Sequence, residues 1–206
     1  MFGLNTSLSI EDVGGCADFR ALSSIAGIGI DLRYAGPDNF VGRDLYSPYD
    51  CAWLHVDAAA ALEKSVAWLA VARPGWSVLI LDALRPQRVQ QELWDALAGT
   101  PLQMYLAEPS RGSIHSFGMA IDITLLDANG CEIDMGSGFD EMSERSHPAL
   151  EPLLLARGEI TPGQVSNRQT LREAMAHGGF HGINSEWWHY DFGDRDRVRH
   201  TYRRVL

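Results

Sequence analysis

The stretch Ser113-Ile-His115-Ser-Phe-Gly118-Met-Ala120-Ile-Asp122-Ile-Thr-Leu-Leu126 decides the fold, because it joins a tight turn to a strand. Residues alternate in character from Ala120 to Leu126, which predicts a strand whose polar face carries Asp122. His115 stands seven residues before Asp122, and a straight strand would hold the two roughly 23 Å apart. The chain therefore has to turn back between them, and Gly118 is the residue that permits the turn.

A second motif, Glu186-Trp-Trp-His189, adds the groups that the first lacks. The imidazoles of His115 and His189 and the carboxylate of Asp122 are three ligands of the kind that a catalytic zinc takes, with a fourth position left for water. Glu186 stands beside a ligand and is the candidate base acting on that water. A spacing of three between Glu186 and His189 requires a bend, because a flat strand would place them on opposite faces.

The prediction of a metal site depends on the combination of residues. A single buried His or Asp is more often a core residue with its hydrogen bonds satisfied than a metal ligand. Two histidines and two carboxylates occur here together, with the small residues Gly118 and Ala120 where the chain must pack closely. We expect one zinc ion per chain. The other histidines lack ligand spacing and are not expected to bind metal: His55, His147, His177, His181 and His200.

The two motifs, written Ser-x-His-x-x-Gly-x-Ala-x-Asp and Glu-x-x-His, resemble those of the zinc D-alanyl-D-alanine peptidases. Met-Gly-Ser-Gly-Phe-Asp at 135–140 and Glu-Trp-Trp-His at 186–189 narrow the resemblance to the D-Ala-D-Ala dipeptidases of the vancomycin-resistance type. Phe117 is a departure, since the family often has arginine there. Further similar segments cover most of the chain: residues 34–40, 82–86, 144–147 and 167–168.

The resemblance implies roles for residues outside the metal cluster. Arg85 would stabilise the oxyanion that forms as water adds to a peptide carbonyl, and its place between a buried strand and Pro86 suits that role. Asp140 would hold the substrate ammonium. The candidate substrate contacts are Ser113, Asp140 and Tyr34, together with Asp82, which lies three residues before Arg85 and would orient it.

Periodicity predicts an α+β fold with helices packed on a small, mostly antiparallel sheet, and the resemblance places the zinc site at that sheet. Residues 1–55 are expected to be mostly irregular. The predicted helices run over 58–72 with Asp57 as cap, from Pro86 to a stop at Gly99, and from Asn167 as cap to His177 with Gly178-Gly179 as the stop. The predicted strands are 77–82, 120–126, 131–135 after a hairpin turn at 127–130, and 186–192.

Length and charge limit the possible functions. A chain of 206 residues fits one domain, 1–206, with its own core. The formal net charge of −10 argues against binding nucleic acid, anionic wall polymers or membrane, and it allows a small zwitterionic substrate. The sequence does not indicate an oligomeric state.

The cysteines and the N-terminal residues predict a cytoplasmic protein. Cys16, Cys51 and Cys131 are odd in number and scattered, which indicates free thiols in a reducing compartment. The first seven residues have neither the basic region nor the apolar core of a signal peptide. No apolar run approaches the length of a membrane span.

The motifs predict a hydrolytic zinc site, and the resemblance implies that its reaction is the hydrolysis of D-alanyl-D-alanine to two molecules of D-alanine. The first alternative is a peptidoglycan D,D-carboxypeptidase or endopeptidase with the same zinc motif, which would need export and an open groove. The second is a zinc-stabilised binding module without activity. Glu186 and Arg85 disfavour the module, because a structural zinc needs no base and closes its fourth position.

Overall fold

The computed structural model describes residues 7–206. The strands in this range are β1 Phe19–Ala21, β2 Ile28–Ile30, β3 Trp53–His55, β4 Ser77–Asp82, β5 Ala120–Leu126, β6 Phe180–Gly182 and β7 His189–Phe192. The α-helices are α1 Val56–Ala72, α2 Gln87–Ala96, α3 Glu151–Arg157, α4 Pro162–Gly178 and α5 Arg195–Thr201. None of the helices in this range is both long and apolar enough to cross a membrane.

The main sheet has five strands in the order β2-β4-β5-β7-β6. Only the β2–β4 pair is parallel, and the other pairs are antiparallel. Strand β5 lies at the centre and is buried on both faces up to its last residue, because helices α1 and α4 and the loops cover the sheet. The prediction of an α+β fold with a mostly antiparallel sheet is confirmed.

The N-terminal region is more ordered than the sequence indicated. Strands β1, β2 and β3 all lie within residues 1–55, where mostly irregular structure was expected. Strands β1 and β3 form a separate antiparallel pair, and β2 adds an edge to the main sheet. Each of these strands has three residues, which is too short for alternation to be read from sequence.

The helix starts correct two predictions. Asp57 is not the cap of α1, because His55 precedes the helix and its Nδ1 accepts the Asp57 backbone N–H at 3.2 Å. Asn167 is not the cap of α4 either, since that helix begins after Thr161, which forms a capping box with Gln164. Asn167 lies inside the helix and donates to the backbone carbonyl of Asp134 at 2.9 Å.

Most of the other predicted elements differ only in their ends, and one predicted strand is absent. Helix α2 begins one residue after Pro86, which was expected in its first turn, and ends before Leu97, and α4 ends at Gly178 with Gly179 in the left-handed conformation. The hairpin turn over 127–130 is present, but only an isolated bridge between Leu126 and Glu132 follows it, so the strand predicted at 131–135 is wrong. The final strand begins at His189, three residues later than predicted.

The turn before β5 is confirmed at Gly118. Its φ is +64°, and a Cβ there would lie 2.7 Å from the backbone nitrogen of His55 and 2.9 Å from the Phe19 ring. The same turn is held on its other side by the backbone N–H of Val205, which donates to the Ser116 carbonyl at 2.8 Å. Strand β3 and the C-terminal segment therefore fix the turn that leads into the central strand.

A glycine at the contact between α1 and α4 gives a stability prediction. A Cβ on Gly178 would lie 2.5 Å from the carbonyl oxygen of Ala61 and would overlap Ser65. Gly178→Ala should therefore lower the free energy of unfolding by about 1–3 kcal/mol, because the helices must move apart. Gly163→Ala is the control in the same helix, since its Cβ would meet only Thr161 Oγ1 at 3.7 Å. Urea unfolding that gives equal stabilities for the two variants would contradict this packing.

Candidate active site

Three side chains from two motifs meet beside the centre of the main sheet. His115 lies on the 3-10 turn Ile114–Phe117, Asp122 lies on β5, and His189 is the first residue of β7. Asp122 and His189 are directly paired across the two strands, so sheet formation itself brings their side chains together. The turn at Gly118 returns His115 to the same place. All three side chains are buried.

The facing atoms of the three side chains form a nearly equilateral triangle. His115 Nε2 lies 3.1 Å from His189 Nδ1 and 3.4 Å from Asp122 Oδ1, and His189 Nδ1 lies 3.0 Å from Asp122 Oδ1. Ligand bonds of about 2.0–2.1 Å in a tetrahedron place ligand atoms roughly 3.3 Å apart. The three atoms therefore already have the spacing that a tetrahedral zinc requires.

Neighbouring groups orient both imidazoles with the ligand nitrogen inward. His115 Nδ1 lies 2.8 Å from the Ala83 carbonyl oxygen, and His189 Nε2 lies 3.0 Å from Asp191 Oδ1. Each of these nitrogens donates its proton outward, so in the neutral imidazole the lone pair lies on the nitrogen that faces the triangle. Arg195 Nε in turn donates to Asp191 Oδ2 at 2.6 Å. Sequence reasoning missed Asp191, although it lies two residues after His189 on the same face of a strand.

The charges in the cluster are strongly coupled. Burial alone would raise the pKa of Asp122, but the two neighbouring imidazoles lower it below its usual value. Burial would lower the pKa of His189, whereas Asp191 and Asp122 raise it to about 10. Two carboxylates, those of Asp122 and Asp191, therefore contact His189 at a buried centre, and their charge would favour a bound cation.

A bend in the chain before β7 brings Glu186 to the cavity beside the three side chains. Residues 184–188 form bends before β7, so Glu186 is not on the strand, and its side chain lines the same cavity as the triangle. Burial raises the pKa of Glu186 to about 7, although the charge of His189 lowers that pKa by a smaller amount. A carboxyl group with that pKa can take and return a proton near neutral pH.

The Arg85 guanidinium lies against the edge of the cluster. Its Nε donates to Asp82 Oδ2 at 2.8 Å, one terminal nitrogen donates to Gln90 Oε1 at 3.1 Å, and the other lies 3.3 Å from Asp122 Oδ2. It also stacks over the Tyr34 ring at 5.0 Å from the ring centre. These contacts fix a buried cation at the cavity wall.

Asp82 lies behind Arg85 and does not line the cavity. Its side chain is fully buried, and it accepts hydrogen bonds from the Tyr46 hydroxyl and from the Ala83 backbone N–H. The structure thus places Asp82 in contact with the guanidinium and away from any ligand in the cavity. No motif in the sequence indicated a role for Tyr46, because it lies far along the chain from β4, the strand that carries Asp82.

Asp140, Tyr34 and Ser113, the candidate substrate contacts, all line the cavity. Tyr34 donates to Asp140 Oδ2 at 2.8 Å, and Asp140 has the left-handed φ of +58°. Burial raises the pKa of Asp140 well above its usual range, even though the hydrogen bond from Tyr34 lowers it. A buried carboxyl in this state gains most from a positively charged partner. Ser113 is buried beside the turn that carries His115.

The cavity itself is small, with a volume of about 230 Å³. It lies below the roughly 300–1,000 Å³ of pockets that take drug-sized ligands. Trp188 forms part of its wall, whereas Trp187 packs behind it and donates to Ser137 Oγ at 2.9 Å. Among residues 7–206, the histidines outside the triangle are not part of a metal-ligating group.

Three facing ligand atoms, a buried carboxyl and a fixed guanidinium around a small cavity define the class of metal-dependent hydrolases. The family described as D-Ala-D-Ala dipeptidase, Peptidase M15, matches residues 17–205, and the chain belongs to this family of peptidases. The α+β fold is consistent with that membership.

Several relatives carry the name D-alanyl-D-alanine dipeptidase. The chain is 44% identical to one from Escherichia coli (strain K12), over 79% of this chain and 77% of the relative. It is 34% identical to one from Enterococcus faecium (82% and 88%) and 32% identical to one from Synechocystis sp. (92% and 86%). The solved LdcB LD-carboxypeptidase is more distant, with a TM-score of 0.47 and 16% identity over 89% of this chain and 72% of that one.

The contact between Asp82 and Arg85 gives a prediction about stability. Asp82→Asn removes the charge that faces the buried guanidinium at 2.6 Å, and it should lower the free energy of unfolding by about 3–5 kcal/mol. Glu92→Gln is the control, because the Glu92–Arg43 pair at 3.0 Å is exposed and should contribute less than about 1 kcal/mol. Chemical denaturation would measure both, and equal losses would contradict a structural role for the buried pair.

Proposed function

We propose that this protein hydrolyses D-alanyl-D-alanine to two molecules of D-alanine, with one zinc ion per chain. The observation that carries the proposal is the meeting of three ligand atoms, Glu186 and Arg85 around one small cavity. The relatives named D-alanyl-D-alanine dipeptidase support the choice of substrate.

His115, Asp122 and His189 are the proposed zinc ligands. Their donor atoms and mutual distances fit zinc, and both imidazoles are held in the ligating tautomer by Ala83 and Asp191. When bound, zinc supplies a Lewis acid that polarises a carbonyl and lowers the pKa of water.

Glu186 is the proposed base. It accepts the proton of the attacking water and returns it to the amine that leaves when the peptide bond breaks. A raised pKa of about 7 suits both steps, because the group must be ionised in the first and protonated in the second. Arg85, held by Asp82 and Gln90, offers fixed donors to the oxygen that becomes negatively charged.

The amino end of the dipeptide is proposed to lie at Asp140. A substrate ammonium there would pair with a buried carboxylate that the Tyr34 hydroxyl already orients. Ser113, at the start of the turn that carries His115, would donate to the dipeptide backbone. Asp82 contributes indirectly by holding Arg85.

The volume of the cavity favours a free dipeptide over the first alternative, a wall-cleaving carboxypeptidase or endopeptidase. A cross-linked wall polymer needs an open groove, whereas about 230 Å³ suits a small molecule.

The cysteines Cys16, Cys51 and Cys131 are free thiols in the structure, which supports a reducing cytoplasm as the proposed location.

Release of D-alanine from D-Ala-D-Ala, with and without a chelator, tests the proposal. His115→Ala, Asp122→Ala and His189→Ala should each lose zinc and activity, because each removes one of three protein ligands. Glu186→Gln should keep zinc and lose kcat by roughly 10²-fold or more, because a base is not a ligand. His181→Ala is the control for metal content, since His181 is an exposed residue of β6. Full zinc occupancy in all three ligand variants would contradict the proposed ligands. A near wild-type kcat for Glu186→Gln would contradict the proposed base.

Blocking the substrate amine tests the role of Asp140. N-acetyl-D-Ala-D-Ala should be a poor substrate, because acetylation removes the charge that would pair with Asp140 and adds bulk in a small cavity. The buried carboxylate would then lose its partner, at a cost of roughly 1–3 kcal/mol. The ratio of kcat/KM for free and acetylated dipeptide measures this effect. Equal values would favour the wall-cleaving alternative.

A further inference from the structure

Residues 135–146 form a loop, here called the Asp140 loop, that reaches the cavity from outside the main sheet. It is made of bends and turns and ends in the 3-10 turn Glu144–Ser146. Its backbone hydrogen bonds join loop residues to one another, as from the Glu141 N–H to the Gly138 carbonyl at 3.4 Å. Asp140 lines the cavity with a left-handed backbone. Side-chain contacts therefore have to set where its carboxyl lies.

The hydroxyl of Ser137 is the point where several of these contacts meet. It accepts a hydrogen bond from Trp187 Nε1 at 2.9 Å and a longer one from a terminal nitrogen of Arg168 at 3.4 Å. Ser146 Oγ lies 2.9 Å away and gives its own proton to the Glu141 carbonyl, so Ser137 is the donor to Ser146. A serine hydroxyl has one proton and two lone pairs, and all three are used here.

Arg168 on α4 holds both ends of the same loop. Its side chain is 1% exposed, and its Nε donates to the Met135 carbonyl at 2.6 Å. The terminal nitrogen that reaches Ser137 also donates to the Arg145 carbonyl at 2.8 Å. The guanidinium lies 6.0 Å from the centre of the Trp187 ring. Ser137 is therefore bonded to a cation that is itself fixed by the two ends of the loop.

Trp187 connects the Ser137 hydroxyl to the segment that carries the proposed base. Its side chain is buried, and it follows Glu186 directly in the chain. A buried indole N–H needs an acceptor in a defined direction, and Ser137 supplies it. The hydrogen bond thus joins the loop that carries Asp140 to the segment that carries Glu186.

The Phe139 ring makes a second contact between the loop and that segment. It packs edge-on against Trp188, with ring centres 5.6 Å apart, and edge-on against Tyr34 at 6.0 Å. Tyr34 in turn donates to Asp140 at 2.8 Å. Ring contacts tolerate sliding, whereas hydrogen bonds are directional. The Ser137 hydroxyl is therefore the contact that defines the register between the loop and the segment.

We propose that Ser137 is a positioning residue, whose hydroxyl holds the Asp140 carboxyl at the place where a substrate ammonium binds beside Glu186 and the metal cluster. The inference rests on the proposed function for the role of Asp140. Ser137 lines a different, open cavity on the surface. It acts through the loop and not through contact with the substrate.

A double-mutant cycle separates this role from a general contribution to folding. The four proteins are zinc-loaded Glu186→Gln, which binds without turnover, and the same protein with Ser137→Ala, with Asp140→Asn or with both. Titration calorimetry with D-Ala-D-Ala gives the four dissociation constants. Asp140→Asn should weaken binding about 10- to 100-fold, as expected for a charged hydrogen bond. Ser137→Ala should weaken it about 3- to 10-fold with Asp140 present and less than about 2-fold with Asn in its place.

Two further variants keep the test decisive. Ser143→Ala is the matched control, because its hydroxyl donates only within the loop, to Glu141 Oε1 at 2.9 Å, and its dissociation constant should stay within about 2-fold of the parent. Trp187→Phe removes the indole donor but keeps a ring, and it substitutes for Ser137→Ala if that protein fails to fold. Equal weakening with and without Asp140, or no weakening by either variant, would overturn the inference.

Release of D-alanine by the wild-type enzyme is measured separately, because the proposed function can fail on its own. Absence of release together with a Ser137 effect that depends on Asp140 would overturn the proposed hydrolysis and support the positioning role. Release together with equal weakening in both backgrounds would do the reverse. Failure of the parent protein to bind D-Ala-D-Ala would overturn both.

Discussion

The pairing of β5 with β7 is the constraint on which the site depends. It sets Asp122 opposite His189, so two of the three proposed ligands are positioned by backbone hydrogen bonds rather than by mobile loops. The third, His115, enters through a turn fixed by Gly118 and Val205. A cluster built on the central strands of a sheet holds its geometry before any cation arrives, which limits the reorganisation that binding requires.

The outward neighbours of the cluster also connect it to the cavity walls. Asp191 links His189 to Arg195 on α5, and Asp122 links the cluster to Arg85. Both walls are therefore connected to the proposed ligands by hydrogen bonds of ordinary length. This arrangement explains how Arg85, Asp122 and Asp191 can be buried together, since each of them has an opposite charge in contact.

Sequence reasoning succeeded where periodicity or chemistry was local. Helix α1 and strands β4 and β5 are long enough for their patterns to be read, and the candidate ligands lie in two short motifs. It failed for strands of three residues and for α3 and α5, whose seven residues give weak signals. The Thr161 cap was missed although Gln164 completes its capping box, and Tyr46 comes from a segment that meets the site only in the folded chain.

The place of β7 as the last strand in chain order has a consequence for when the proposed site could take up a metal ion. During synthesis on the ribosome, His115 and Asp122 are made well before His189, which follows Asp122 by 67 residues. A nascent chain thus offers at most two of the three ligand side chains, and the turn that carries His115 still lacks its contact with Val205. Tight capture of a cation is therefore expected after translation has passed these residues, when the last strands close the sheet.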